Sequence, residues 1–199
     1  MNLRKKDIFF YFIIFALLVA LMWEWTSKSA LLGVTDSYLN ERNKFGNYIE
    51  QFSLITGIGA LGSTHIHADV KVYIDGKAID FSGQKYQLAT SYIHFEEGVG
   101  EVIHIHATGL TAGHMLNSLK IPLDGGCITV EGIKHCQDSK NLLKFYVNGK
   151  KADSINDYVF QDLDKILISY GPETPSEVQK QLDSVTDLAI NYRGQEMED

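Results

Sequence analysis

Two His-x-His pairs place the tightest constraint on this chain. His65-Ile66-His67 and His104-Ile105-His106 each alternate imidazole with isoleucine. In an extended strand, residues i and i+2 project to one face and residue i+1 to the other. Each segment therefore reads as a strand with histidines on one side and isoleucine turned toward a core. Six of the seven histidines lie between positions 65 and 114, His94 and His114 among them. If the two strands share a sheet with their faces aligned, four imidazoles converge. Neutral imidazole is a common ligand for zinc, copper, nickel and iron. The same spacing also describes a solvated polar face over an apolar core, and spacing alone does not choose between the two.

The neighbouring sequence continues as β structure. Val70 to Ile74 alternates, Asp75-Gly76 is a type I′ turn signal, and Ala78 to Phe81 reads as the returning strand. Ser91 to Phe95 and Glu101 to Ile105 flank Glu96 to Gly100 as a second hairpin, which sets His94 beside His104 or His106. Thr111 is a helix N-cap, and Met115, Leu116 and Leu119 share the inward face of the helix that follows. His114 falls in its first turn, where the helix dipole disfavours a charged imidazole. Leu143 to Lys150 repeats the character of Val70 to Lys77, a strand ending in an Asn-Gly or Asp-Gly turn. Tyr158 to Phe160 and Lys165 to Tyr170 read as later strands. Thr174-Pro175-Ser176-Glu177 is a capping box with proline at the first helical position. Val178, Leu182, Val185, Ala189 and Tyr192 then continue at helical spacing. The fold class expected is α+β: a mixed-sheet, β-grasp-like domain with hairpins, one core helix and a C-terminal helix.

Cys127 and Cys136 bracket a hairpin. With Glu131-Gly132 as its two-residue turn, Cys127 stands opposite Cys136 at a non-hydrogen-bonded pair, where the Cα atoms are close enough for a cross-strand disulfide. A catalytic dithiol usually occurs as Cys-x-x-Cys at a helix N-terminus. These two cysteines have neither that spacing nor that setting, and they read as a brace.

The N-terminus carries Arg4-Lys5-Lys6 and then an apolar run from Ile8 to Trp23, closed by Glu24. As a helix this run spans about 24 Å, a little short of a bilayer core of about 30 Å. Trp23 and Trp25 suit the membrane interface, and the basic end should stay cytoplasmic. A retained single-pass anchor is the favoured reading, and a signal cleaved within Ser27 to Ala30 is the alternative. Either leaves residues 30–199 outside the cytoplasm. The organisation expected is an anchor over 1–28, a membrane-proximal stalk over 29–62, an extracytoplasmic α+β domain over 63–172, and a C-terminal amphipathic helix and tail over 173–199. In the stalk, Phe45, Tyr48, Ile49 and Phe52 follow helical spacing. Gly57-Ile-Gly-Ala-Leu-Gly62 has the letters of a dinucleotide loop, but a strand follows it instead of a helix, so it reads as a hinge. Beyond residue 28 the chain holds 14 basic and 23 acidic residues, with no basic cluster. That excludes a phosphate-binding surface and nucleic acid as a partner.

Gly59 and Gly98 stand before the His pairs as in a cupin motif. The cupin carboxylate is missing, since Lys71, Val72 and Leu110 to Ala112 occupy its positions. A closer likeness lies in His65-Ile-His-Ala68, Asp80-Phe-Ser82, Tyr86-Gln87 through His94, His104-Ile-His-Ala-Thr-Gly109, Thr111-Ala-Gly113 and Asp164 to Gly171. Over roughly residues 62–180 the chain resembles small membrane-anchored, histidine-rich archaeal proteins of the Thaumarchaeota type, often labelled protein-disulfide isomerase. The resemblance carries over the histidine set His65, His67, His94, His104 and His106. It also implies thiol–disulfide exchange, with Cys127 and Cys136 as the exchanging pair, although the chain has no Cys-x-x-Cys. The function expected from the residues is binding of copper or zinc by three or four of those five histidines, for metal capture or delivery. Disulfide isomerisation is the alternative, and an interaction module with solvated histidines is a third reading. The partners expected are a membrane, a metal ion and an extracytoplasmic redox or metalloprotein.

Overall fold

In the computed structural model, residues 15–28, 53 and 55–193 are described. The chain divides into two units, Met1–Gln51 and Phe52–Asp199. In the first, residues 15–28 are helical (α1), and Leu17, Leu18, Leu21, Met22 and Trp23 are exposed. Among the described residues no helix is long and apolar enough to cross a membrane. The basic and apolar residues from Arg4 to Ile14, on which much of the expected anchor rests, lie outside the described residues. So do Phe45, Tyr48, Ile49 and Phe52 of the expected stalk helix.

In the second unit, two strands distant in sequence form the spine of the main sheet. Strand β1 (Ile66–Ile74) runs parallel to β10 (Lys165–Gly171), pairing Val70 with Ile166 and Val72 with Ile168. On the far side of β10 lie β8 (Leu142–Val147) and β9 (Lys150–Ala152), joined by the Asn148-Gly149 turn with φ of 52° and 76°. On the other side of β1 lie β4 (Val102–Ile105) and then β3 (Ile93–His94), both antiparallel. A two-residue strand β2 (Lys77–Ala78) folds back on β1 through Asp75-Gly76. The sheet is mixed and seven-stranded, in the order β3-β4-β1-β10-β8-β9 with β2 beside β1. A separate three-stranded sheet contains β5 (Leu123–Asp124), β6 (Cys127–Val130) and β7 (Ile133–Cys136). Its hairpin turns at Glu131-Gly132, pairs Cys127 with Cys136 and carries the disulfide, as the register predicts.

The strand period of two sorts the side chains. Ala68, Val70 and Val72 of β1 join Ile93, Ile103, Ile105, Ile166 and Ile168 in a buried core with Phe81 and Phe95. Helix α2 (Ala112–Ser118) covers this face with Met115 and Leu116. Its capping box uses a histidine where glutamate is usual. The Thr111 hydroxyl accepts from the His114 backbone N–H at 3.2 Å, and His114 Nδ1 accepts from the Thr111 N–H at 3.0 Å. His114 thus fastens the start of the helix.

The opposite face meets the C-terminal segment. Helix α3 (Pro175–Asp183) begins at the Thr174 capping box but stops at Asp183, so the helical spacing from Val178 to Tyr192 breaks into two pieces. Buried Asp69 holds the chain beyond that stop. Its carboxylate accepts from the backbone N–H groups of Leu188 at 2.9 Å and Ala189 at 3.1 Å and from the Thr186 hydroxyl. Leu188 and Ala189 open the next helical turn, where main-chain N–H groups have no partner within the helix and are free to meet a carboxylate. The segment resumes as a 3-10 turn over Leu188–Tyr192.

Two further expectations change. Tyr158 to Phe160 is not a ladder strand; Val159 makes one isolated bridge to Thr111, and the Tyr158 hydroxyl donates to Asp164 at 2.7 Å. The glycine-rich stretch before β1 is tied down, with Gly59 N–H donating to Thr108 C=O and Gly62 N–H to His106 C=O.

Replacing Asp69 by alanine orphans two main-chain donors at once. We expect Asp69→Ala to lose about 3 kcal/mol in urea unfolding and to open the segment after Asp183 to proteolysis; an unchanged midpoint would refute this. Replacing both cysteines by serine should cost about 2–3 kcal/mol by the loop-entropy model, read in the same assay.

Candidate metal centre

Strand β4 lies between β3 and β1, and its register decides what meets there. His104 pairs directly with His67 on β1 and with His94 on β3. Directly paired residues project to the same side of a sheet, so these three imidazoles share the face opposite the isoleucines. His65 and His106 lie two residues from His67 and His104, just beyond the strand ends, and join the same face. The ring centroids close a circuit: His65–His67 4.7 Å, His67–His104 4.5 Å, His104–His94 5.9 Å, His94–His106 5.0 Å and His106–His65 4.7 Å. The five histidines expected as a set are therefore brought together; His67, His94, His104 and His106 are buried, His67 and His104 being 2% exposed, and His65 is half-buried. His114 serves its helix cap elsewhere. His135 packs edge-on to Tyr170, and the cysteines sit in the smaller sheet.

Two groups complete the cluster. Glu96 follows His94 by two residues and turns to the same side. Its Oε2 lies 3.1 Å from His94 Nε2 and its Oε1 lies 3.3 Å from His104 Nδ1. Tyr192, delivered by the 3-10 turn that Asp69 anchors, sets its ring 5.0 Å from His104 and 5.5 Å from His67. Glu96 was legible in principle, because His94-Phe95-Glu96 has the same i, i+2 spacing as the His pairs. Tyr192 carries no such local signal.

The nitrogens are poorly served by the protein. Both ring nitrogens of His65, Nε2 of His67 and Nδ1 of His104 are buried without a hydrogen-bond partner among the described residues. Buried polar atoms are nearly always paired, and an unpaired one costs free energy. Four on one face is a concentration that calls for a ligand. His94 is held differently. Its Nδ1 lies 2.7 Å from the Thr90 carbonyl, which can only accept, so the proton sits on Nδ1. A backbone carbonyl orienting one imidazole nitrogen while the other faces inward is the usual support for a metal-binding histidine.

Electrostatics keeps the cluster in its ligating form. Burial first, and then the adjacent His67, His94, His106 and His65, together bring the His104 pKa down to about 3. Burial, then His65, brings His67 to about 4, while Asp162 pulls the other way. Burial, His65 and His94 also lower His106. Tyr192 is pushed up by burial and by Glu97 and Glu96, so its phenol keeps its proton. At neutral pH these three imidazoles are neutral bases with a lone pair to offer. One nitrogen from each of His65, His104 and His106 lies within 4.8 Å of the others, so these three can hold a metal ion. Ligand nitrogens around tetrahedral zinc, at bond lengths of about 2.0–2.1 Å, stand about 3.3 Å apart.

Comparison with protein-family models, with curated proteins and with solved structures returned no match.

The depressed values set a pH dependence for metal-free protein. Unfolded histidine protonates near pH 6.5, whereas folded His67 and His104 resist until about 4 and about 3. Below pH 6.5 the unfolded state binds more protons, so stability falls with pH through the interval from 6.5 down to those values. The slope approaches about 1.4 kcal/mol per pH unit for each histidine. Urea midpoints at pH 7, 6 and 5 should therefore drop, more steeply in the wild type than in His67→Ala/His104→Ala. A flat wild-type profile would contradict the burial of neutral imidazoles.

Proposed function

We propose that this chain binds a transition-metal ion, copper or zinc, on the histidine face of its main sheet, and that it captures or delivers the ion outside the cytoplasm while held at a membrane by its N-terminal segment. The observation that carries the metal reading is the set of buried imidazole nitrogens without partners on that face. The neutral form that burial favours at His67 and His104 is the form that binds metal, and imidazole nitrogen suits copper and zinc among the first-row ions. Three or four of His65, His67, His94, His104 and His106 suffice for one ion; the others orient it or receive it during transfer. The exposed leucines, Met22 and Trp23 of α1, following Arg4-Lys5-Lys6 and the rest of the apolar run, support the anchor. The parallel β1–β10 pair, with a hairpin on either side and α2 over one face, agrees with a β-grasp-like arrangement.

Disulfide exchange, the activity implied by the archaeal resemblance, is supported by one feature: Cys136 is exposed. Against it, the pair closes a hairpin turn and has no Cys-x-x-Cys spacing. An exchanging pair would have a reduction potential well above about −300 mV, and a structural brace one below it.

The test of the metal reading is direct. The full chain, purified in detergent and stripped with chelator, is loaded separately with Cu(II) and Zn(II), desalted and analysed by elemental mass spectrometry. At least one ion per chain should remain, and His104→Ala/His106→Ala should lose it while keeping its circular dichroism spectrum. Wild-type protein that keeps no metal would refute the proposal.

A further inference from the structure

We infer that the histidine face takes two ions, with Glu96 and His94 forming a second position beside the one among His65, His104 and His106. The inference rests on the metal-binding reading above and deepens it. It starts from a conflict at Glu96. His94 gives its Nδ1 proton to the Thr90 carbonyl at 2.7 Å, which leaves a lone pair on Nε2. That lone pair faces Glu96 Oε2 at 3.1 Å. The other oxygen, Oε1, faces His104 Nδ1 at 3.3 Å, and that nitrogen is buried without a hydrogen bond. A second proton on His94 would resolve the first contact and leave the second as it stands. A cation held by His94 Nε2, the Glu96 carboxylate and His104 Nδ1 resolves both; with its Nε2 on the first ion, His104 would bridge the pair as an imidazolate, its remaining proton released to solvent as the metal binds.

The number of donors points the same way. Five imidazoles and one carboxylate face inward, whereas a tetrahedral ion takes four ligands. One such ion leaves two of these six groups without a metal bond. His65 and His106 stack at 4.7 Å, while His94 with Glu96 flanks the cluster on the β3 side, its ring 5.0 Å from His106 and 5.9 Å from His104. Carboxylates are common where two metal ions sit close together. A carboxylate oxygen is also a hard ligand, which favours a divalent ion over Cu(I) at this second position.

The test uses the full chain in detergent, stripped and then titrated with Cu(II), with bound copper counted after desalting and electron paramagnetic resonance recorded on the same samples. Wild-type protein should hold two Cu(II) per chain, with a spin count below the copper count because neighbouring ions couple. Glu96→Gln and His94→Ala should each hold one, with a spin count equal to the copper count. Unchanged circular dichroism secures the comparison, and two variants guard against one failing to fold. One uncoupled ion in the wild type, or two retained in both variants, would overturn the second position and leave the metal reading intact. No copper in the wild type would overturn both.

Discussion

Strand β1 must satisfy two environments at once, and the rest of the domain is arranged around that demand. Its even positions, Ala68, Val70 and Val72, are buried in the apolar core under α2. Its odd positions carry His67 and Asp69, which are also buried, on the opposite face. A strand with apolar residues on one side and polar residues buried on the other cannot rest against solvent. It needs partners on both flanks for its backbone and a cover for its polar side. Strands β10 and β4 supply the first, and the C-terminal segment supplies the second.

That cover depends on Asp69. One carboxylate gathers two main-chain N–H groups and a hydroxyl from the segment after α3, which holds the chain there and carries Tyr192 to the imidazoles. The structural and functional halves of β1 are thereby linked through neighbouring residues. Asp69 anchors the cover, and His67, two positions earlier on the same face, lies beneath its end. The burial this creates lowers the basicity of His67 and His104 and keeps both imidazoles neutral. The same burial strips them of water, so the cluster carries a desolvation cost.

Much of the site was legible because it is written in strand periodicity. His65, His67, His104 and His106 declare a common side by spacing alone, and a short hairpin delivers His94 next to His104. Local turn chemistry was equally readable: Asp75-Gly76, Glu131-Gly132 and Asn148-Gly149 turn as expected, and the third of these begins β9 while the second sets the cysteine pair. The readings that changed were those in which a distant group intervenes. The helical spacing from Val178 to Tyr192 was sound as a pattern, but the helix stops at Asp183, and Asp69, more than a hundred residues away, holds the two backbone donors that open the next turn. The glycines before β1 looked like a hinge until the carbonyls of His106 and Thr108 claimed their N–H groups.

By itself, then, the sequence determined which residues alternate, where the chain turns, which cysteines pair and that the histidines of each His-x-His pair share a side, because these follow from backbone geometry over a few residues. Only the tertiary structure decided that the two His pairs face each other, since that requires β4 to lie antiparallel to β1 in one particular register. It also decided that Glu96 and Tyr192 join them and that the cluster is buried. Those outcomes depend on which strands become neighbours and on what covers them, and neither is encoded in the local period of any one segment.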